Sequence, residues 1–415
     1  MTRGSPSVTP LLLPAVSGTA FAALCAHQGL PMADALVYRA EGQAVVQGGD
    51  LYGFTVTEWH LPATYPPFAA LLFAPTAPLS DTALKAAFLA GNALLLAWLI
   101  HLSARLAGLR HDRRTICAAA ALALWLEPVF QTVLFGQINL AVACLVLWDL
   151  TRPPGARASG VAVGIAAGIK LTPAVFIAYL WLRGRRGEAV TATAALAGTI
   201  LLGALALPTA TRAYFTHHLY DTSRVGKAWI IDNQSLQGAL ARALGTPDPG
   251  PAWLLPAIAV GAAGLWAVKH ARDDRRALVL TALTALLVAP ISWTHHWVWC
   301  VPLTAVLLAE GHRRTAALTT AAFTARTMWL LPHEGARDLH LPWWQQPLSS
   351  PYPLLALALL GAQLCSGRRM SASSKIRSMT SRSRPRDTMY SATIWDVRRI
   401  SRSCSPTPID RETSV

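Results

Sequence analysis

The sequence predicts an all-α polytopic membrane protein, and three observations indicate this class. The 415 residues are 53% hydrophobic and only 14% charged, whereas a soluble domain contains about 25% charged residues. The apolar residues recur along nearly the whole chain, in runs close to the length of about 20 residues that a membrane span needs. The net charge of +15 comes from basic clusters between these runs, a pattern typical of membrane topology rather than of nucleic-acid binding.

The apolar runs predict a membrane domain over residues 1–366, with roughly 10–12 transmembrane or half-membrane helices. The candidate spans are residues 8–26, 82–104, 115–135, 138–150, 189–208, 253–268, 277–290, 291–309, 313–331 and 352–366. The first is interpreted as an uncleaved span because no A-x-A-like cleavage site leads into a soluble domain. The Ser/Arg-rich segment 367–415 lacks periodicity and is expected to be a basic, disordered cytoplasmic tail.

Two apolar segments do not fit a single crossing. Residues 66–79 are short for a span, so we expect a broken entry that continues into residues 82–104. Residues 159–182 are long enough, yet basic clusters lie on both sides, and one crossing would place one of them outside. Two half-helices broken near Lys170–Pro173 solve this, because proline interrupts a helix and broken helices line cavities in membranes.

The segment from Pro31 to Pro67 differs from the rest of the chain in charge. It contains four acids and one base, which is a net charge of −3. With the basic clusters in the cytoplasm, this segment lies outside, and both termini lie inside. Residues 27–65 therefore form the first extracytoplasmic loop. The loops 136–138, 209–252, around 291–297 and 332–351 are expected on the same side.

Asp34 in this loop has two possible roles. An aspartate before a helix caps its N-terminus by accepting from free backbone amides. A carboxylate just outside the hydrocarbon could also be a general base that deprotonates a hydroxyl group. The two roles are compatible, and Tyr38 lies on the same helical face as Asp34.

Other polar residues are expected at the same outer level. Lys170 is the only charge in its apolar run, which makes it a functional candidate, although its long stem could simply snorkel to the interface. Gln137 and Asn139 either form a tight turn or hydrogen-bond a polar head group. The adjacent His295 and His296 are a poor chelating pair on a helix and could bind phosphate instead.

Two further features limit the chemistry. The amide-rich segment around Asn233 and Gln234 suits sugar or phosphate contacts, and Tyr65 is placed at the membrane interface. No phosphate-binding glycine loop or dinucleotide-binding pattern is present, so an activated donor would have to be a membrane lipid. The six cysteines are scattered, so we expect neither disulfides nor a metal site.

Several stretches together resemble glycosyltransferase family 87, the polyprenyl-phosphate-mannose-dependent α-(1→2)-mannosyltransferases of the GT-C superfamily. The matching pieces are DALVYRAEGQAVVQGGDLYG, LPATYPPFAALLFAP, FGQINLAV, GIAAGIKLTP, DNQSLQG and SWTHHW. They follow the family order between residues 34 and 297, and the segment after residue 367 has no counterpart.

The resemblance implies a GT-C fold with an outer-face cavity, in which Asp34 is the catalytic base. It also implies a polyprenyl-phosphate-sugar donor, an inverting transfer, and a glycolipid or lipoglycan acceptor of the cell envelope. We expect no cofactor, no metal and no nucleic-acid partner. The donor phosphate would be bound by Lys170, His295 and His296. Sugar or acceptor hydroxyls would be held by Tyr38, Tyr65, Gln137, Asn139, Asn233 and Gln234.

Two alternatives remain open from the sequence. A pentose transferase of the same superfamily, using a lipid-linked arabinose, would share these features. A polytopic lipid or solute transporter could also contain broken helices and a lysine at the membrane midplane. Transporters usually have repeated halves, and no internal repeat is evident in this sequence.

Overall fold

The computed structural model describes residues 9–332 and 335–365. The predicted disordered tail, 367–415, lies outside these residues. The helices of the first half are α1 (Thr9–Gln28), α2 (Ala33–Gln47), α3 (Pro67–Phe73), α4 (Asp81–Ala107), α5 (Arg113–Ala123), α6 (Glu127–Phe135), α7 (Asn139–Leu150), α8 (Val161–Ile169) and α9 (Val175–Leu182). Those of the second half are α10 (Arg186–Ala206), α11 (Pro208–Ala213), α12 (Leu236–Leu244), α13 (Pro251–Lys269), α14 (Asp274–Val288), α15 (Cys300–Ala309), α16 (Arg313–Ala325), α17 (Gln346–Ser349) and α18 (Pro351–Cys365).

Short elements complete the description. Two antiparallel two-residue strands, β1 (Thr55–Val56) and β2 (Leu61–Pro62), pair within the acidic loop. Single helical turns occupy Ala74–Thr76, Thr172–Ala174, Tyr214–His218, Thr222–Arg224, Thr294–Trp299, Thr327–Leu330 and Arg337–His340. The prediction of an all-α architecture is therefore confirmed for the described part of the chain.

The helices differ in whether they can cross a membrane alone. Among the described residues, α4, α10 and α13 are long and apolar enough by length and composition. Helices α5 and α6 would form a fourth span if taken together, but they are bent by 84°. The prediction of one continuous helix over 115–135 is therefore wrong. The backbone of Leu126 is extended, and a new helix, α6, begins at Glu127 with Pro128 in its first turn. Shorter apolar helices of 10–17 residues, such as Asn139–Leu150 and Pro351–Cys365, contain fewer residues than a full crossing needs.

The predicted break in residues 159–182 is confirmed. Helix α8 ends at Ile169, and Lys170 has extended backbone angles (φ −144°, ψ 127°). A turn containing Pro173 and then α9 follow. Helix α8 packs closely on α10, since a Cβ atom at Gly164 would lie 2.3 Å from the carbonyl oxygen of Ala192. Small residues permit this backbone approach between apolar helices, and it fixes the end of α8, where Lys170 lies.

The largest hydrophobic core packs α4, α7, α14 and α15 together. Fully buried side chains such as Leu99, Leu140, Leu147 and Leu287 lie in it. Because α7 begins directly after Gly136 and Gln137, this core also anchors the polar residues at the start of α7. The acidic loop has its own smaller core around Tyr52 and Tyr214.

Candidate active site

Asp34 lies in the first turn of α2 and faces a cluster of polar side chains. The helix begins at Ala33 with Met32 as its N-cap residue, so the prediction that Asp34 is the cap is wrong. The start of α2 lies against the end of α6, where the Met32 amide donates to the Leu134 carbonyl at 3.1 Å. Gly136 permits this contact, because its φ of +68° suits glycine and a Cβ atom there would lie 2.7 Å from the Met32 sulfur.

The side-chain amide of Gln137 connects this helix to its surroundings. It lies near the Asp34 carboxyl group and acts to lower the pKa of that group. Its Oε1 accepts from the Tyr38 hydroxyl at 2.9 Å and from the Tyr65 hydroxyl at 3.2 Å. The Tyr38 ring is stacked on Phe73 with centroids 4.4 Å apart, which fixes its position. Gln137 therefore connects the acidic loop to the start of α7.

Lys170 lies at the other side of the same cluster. Its Nζ donates to Asn139 Oδ1 at 2.9 Å and to the Tyr65 hydroxyl at 3.4 Å, and it lies 2.9 Å from His296 Nε2. Asn139 Nδ2 is in turn 3.4 Å from Gln137 Oε1. One polar network therefore joins the two amides to the Lys170 ammonium and the His296 ring, and the Asp34 carboxyl group lies beside its Gln137 end.

His295 joins the network through its backbone rather than its ring. Its carbonyl oxygen accepts from Asn139 Nδ2 at 3.1 Å and from Thr132 Oγ1 at 3.2 Å. Its ring Nε2 is buried and has no hydrogen-bond partner among the described residues. His296 is the histidine that faces Lys170, and His295 holds the turn Thr294–Trp299 against α6 and α7.

Asn233 and Gln234 are placed differently from the sequence prediction. Both are fully buried. The Asn233 side chain bonds the Pro290 carbonyl at 3.0 Å and the Ser292 amide at 2.9 Å. Gln234 Nε2 donates to the carbonyls of Ile231 and Ser349. Backbone groups already satisfy the hydrogen bonds of both side-chain amides, so contact of either amide with sugar or acceptor is not supported. The two amides instead hold in place the loop that leads to His295 and His296.

The structure also shows buried polar residues that the sequence analysis did not select. Glu127 is fully buried, and its Oε2 accepts from the Tyr352 hydroxyl at 2.7 Å. Arg242 is buried and donates to the carbonyls of Ile230 and Asn233 at 2.9 and 3.1 Å. Arg242 therefore holds backbone and does not offer its charge to an anion.

The acidic and basic side chains of the cluster are more exposed to solvent than the side chains that hold them, as expected for a substrate-binding site. Tyr38, Gln137 and Asn139 are buried, whereas Asp34, Lys170 and His296 remain partly exposed. Burial raises the pKa of the Asp34 carboxyl to about 6, although Gln137 and the charge of Lys170 both act to lower it. Burial and the Asp34 charge raise the pKa of the Tyr65 hydroxyl, which stays a neutral donor. The arrangement places a weakly basic carboxylate and a cationic group in one polar cluster.

An apolar cavity opens beside the cationic side of the cluster. It has a volume of about 50 Å³, and its polar end is formed by Asn139, Lys170 and His296. Its other walls come from α7, α9 and α14 and include Phe176 and Leu286. An anionic group at Lys170 could therefore be attached to a hydrocarbon chain that runs between these helices.

The fold and this cluster define a helical membrane protein with a polar site, and the comparisons assign its class. Residues 63–290 match the model of glycosyltransferase family 87. The chain belongs to this family, since the match covers more than half of its length.

Curated relatives with specific names extend the comparison. The polyprenol-phosphate-mannose-dependent alpha-(1-2)-phosphatidylinositol mannoside mannosyltransferase of Mycobacterium tuberculosis is 34% identical over 358 residues, which are 78% of this chain and 82% of that protein. The corresponding pentamannoside mannosyltransferase of Mycolicibacterium smegmatis is 35% identical over 353 residues, or 80% and 85%. The crystal structure of ArnT from Cupriavidus metallidurans bound to undecaprenyl phosphate aligns with 93% of this chain and 83% of its own, at 16% identity and a TM-score of 0.39.

Proposed function

We propose that this protein transfers mannose from polyprenyl-phosphate-mannose to a hydroxyl of a cell-envelope glycolipid or lipoglycan and forms an α-(1→2) linkage. The observation that carries the proposal is the single network that joins Asp34 to Lys170 and His296 beside an apolar cavity. A transfer from a lipid phosphate needs a base for the acceptor and a cationic site for the leaving phosphate, and the network supplies both.

Asp34 is the general base in this proposal. Its carboxylate takes the proton of the acceptor hydroxyl while that oxygen attacks the anomeric carbon of the donor. Attack in line with the departing phosphate inverts the β-linked sugar to an α-mannoside. A positioned base contributes about 10²–10⁴-fold in rate. Gln137 orients the carboxylate, and its own position is fixed by Tyr38 and Tyr65.

Lys170 and His296 stabilise the leaving group. The glycosidic oxygen leaves with the phosphate of the lipid, so negative charge develops there in the transition state. Hydrogen-bond donors already aimed at that position lower the barrier, because they need no reorganisation during the reaction. Asn139 accepts from the Lys170 ammonium at 2.9 Å and so holds the cation in place. The adjacent apolar cavity would receive the first part of the polyprenyl chain.

The proposed orientation places the site on the extracytoplasmic side of the cell membrane, with both termini in the cytoplasm. The basic clusters between the spans support this orientation. The mechanism requires neither a metal nor a nucleotide, since the lipid-linked donor is itself activated. The acceptor is proposed to be a phosphatidylinositol mannoside or a related mannan, from the names of the relatives.

The test is a donor and acceptor panel with the purified protein in lipid nanodiscs. Radiolabelled polyprenyl-phosphate-mannose and polyprenyl-phosphate-arabinose are each supplied with phosphatidylinositol mannosides of increasing mannose number, and the new linkage is mapped. The proposal predicts transfer of mannose with an α-(1→2) product. Transfer of arabinose alone would replace it with the pentose transferase, and movement of intact donor across the bilayer without a new glycosidic bond would favour a transporter.

A further inference from the structure

A second cavity lies near the opposite end of α14 from the candidate active site. It has a volume of about 280 Å³ and lies between α14, α15, α16 and α18. The candidate active-site cavity contacts α14 near its end, at Leu286 and Ala289. The second cavity contacts the first part of the helix, from Arg276 to Leu283.

The interior of the second cavity is apolar. Its walls include Leu280, Leu283, Leu303, Leu307 and Leu359. Packed protein interiors contain few voids larger than a water molecule, and an engineered apolar cavity of about 150 Å³ binds benzene. A space of about 280 Å³ therefore has room for a length of hydrocarbon.

The mouth of this cavity is cationic. Arg272 and His312 are exposed at the rim, and Arg276 lies beside them. Arg276 forms an ion pair with Glu310 and donates to Gln363 Oε1 at 3.0 Å. The basic residues Arg272, Arg276 and His312 therefore outnumber the one carboxylate of the lining, Glu310.

We propose that an anionic phospholipid occupies this second cavity, with its phosphate at Arg272 and Arg276 and one acyl chain among the leucines. Basic pockets between membrane helices are typical binding sites for anionic head groups. A neutral lipid would fill the apolar part but would leave the cationic rim unmatched. The proposal does not depend on the transferase chemistry, because the site shares no lining residue with the Lys170 cavity.

The C-terminal segment of the chain is a weaker candidate for the same cavity. It follows α18 in sequence. However, residues 367–415 contain eleven basic and four acidic residues, a net charge of +7. Charges of the same sign repel, so this segment does not complement the cationic rim, whereas a phosphate does.

The experiment measures lipid retention by the full-length protein with native mass spectrometry. Dioleoylphosphatidylglycerol and dioleoylphosphatidylcholine compete for the purified protein at equal concentration. We expect phosphatidylglycerol to be preferred, and Arg272→Gln to weaken its binding about fivefold, which is the effect of one charge near a lipid head group. Arg314→Gln is the matched control, since Arg314 is exposed but does not line the cavity.

Filling the cavity provides the second arm of the experiment. Leu283→Trp should reduce retention of both lipids, and Leu359→Trp tests the same point from another helix if the first variant does not fold. Equal retention of the two lipids by the wild-type protein would overturn the proposal. Equal losses in Arg272→Gln and Arg314→Gln, or undiminished retention in a folded tryptophan variant, would also overturn it.

Discussion

The pH dependence of transfer should report the ionisation of Asp34. Burial raises the pKa of this carboxyl from 3.8 to about 6, and only the ionised form can accept a proton. With this pKa the group is about 90% ionised at pH 7 and about 10% ionised at pH 5, whereas an aspartate at its ordinary value would remain more than about 90% ionised at both. The rate should therefore fall about tenfold between pH 7 and pH 5, because a raised pKa moves the loss of the base to higher pH.

The assay measures kcat/KM for the lipid-linked donor across this range in nanodiscs, with folding checked at each pH by tryptophan fluorescence. Lys170→Met provides a directional control. The positive charge of Lys170 lowers the pKa of Asp34, so its removal should move the acid limb of the residual activity to higher pH. A flat profile between pH 5 and pH 7 for the folded wild-type protein would refute the assignment of Asp34 as an ionising base.

Three further predictions concern donor binding, the buried support of the site and metals. Lys170→Met should lower kcat/KM for the donor by about 10² or more. Lys227→Met, at an exposed lysine, should keep a kcat/KM near that of the wild type. Equal losses of kcat/KM in the two variants would contradict a role of Lys170 in binding the donor phosphate. Tyr352→Phe removes the hydroxyl bonded to Glu127 and should lower the free energy of unfolding by about 1–3 kcal/mol. The measurement is made in detergent, with Tyr220→Phe at an exposed tyrosine as the control. An unchanged free energy of unfolding in Tyr352→Phe would contradict the importance of this hydrogen bond. Transfer should persist in EDTA. A loss of transfer in EDTA that Mg²⁺ or Mn²⁺ restores would show that the reaction needs a metal and would contradict the metal-free mechanism.

The break at Lys170 could be predicted because its causes are local. A lone charge, a nearby proline and basic clusters on both sides all lie within one apolar run. The bend before Glu127 had a similar local cause in Pro128, but the length of the surrounding apolar run obscured it. A break in an apolar run can be predicted from the sequence only if a proline inside the run is taken as evidence against a continuous helix.

The composition of the site could be predicted only in part. Tyr65, Asn139 and His296 contact Lys170, and Gln137 contacts Asn139, although these residues come from separate segments. The charge pattern predicted that they lie at the same outer level, but not which of them contact one another. Their distances depend on tertiary packing, in particular on the close contact at Gly136.

The amides of Asn233 and Gln234 show the limit of reasoning from residue type. An amide suits a sugar and a backbone carbonyl equally well. Their hydrogen bonds are made to the carbonyls of Pro290 and Ser349, which lie 57 and 115 residues further along the chain. For Glu127, the argument that identified Lys170 also applied, since a buried charge needs a partner. Its partner Tyr352 is 225 residues away and could not be inferred from the sequence.

The most direct test of the account is single-turnover transfer by the Asp34→Asn variant with polyprenyl-phosphate-mannose already bound. The account predicts that donor binding is retained while transfer to the acceptor falls by about 10² or more, and that Glu58→Gln, at an exposed acid of the same loop, transfers at the wild-type rate. Wild-type transfer by the Asp34→Asn variant would contradict the claim that this carboxylate and the Lys170 cation work together on one lipid-linked sugar.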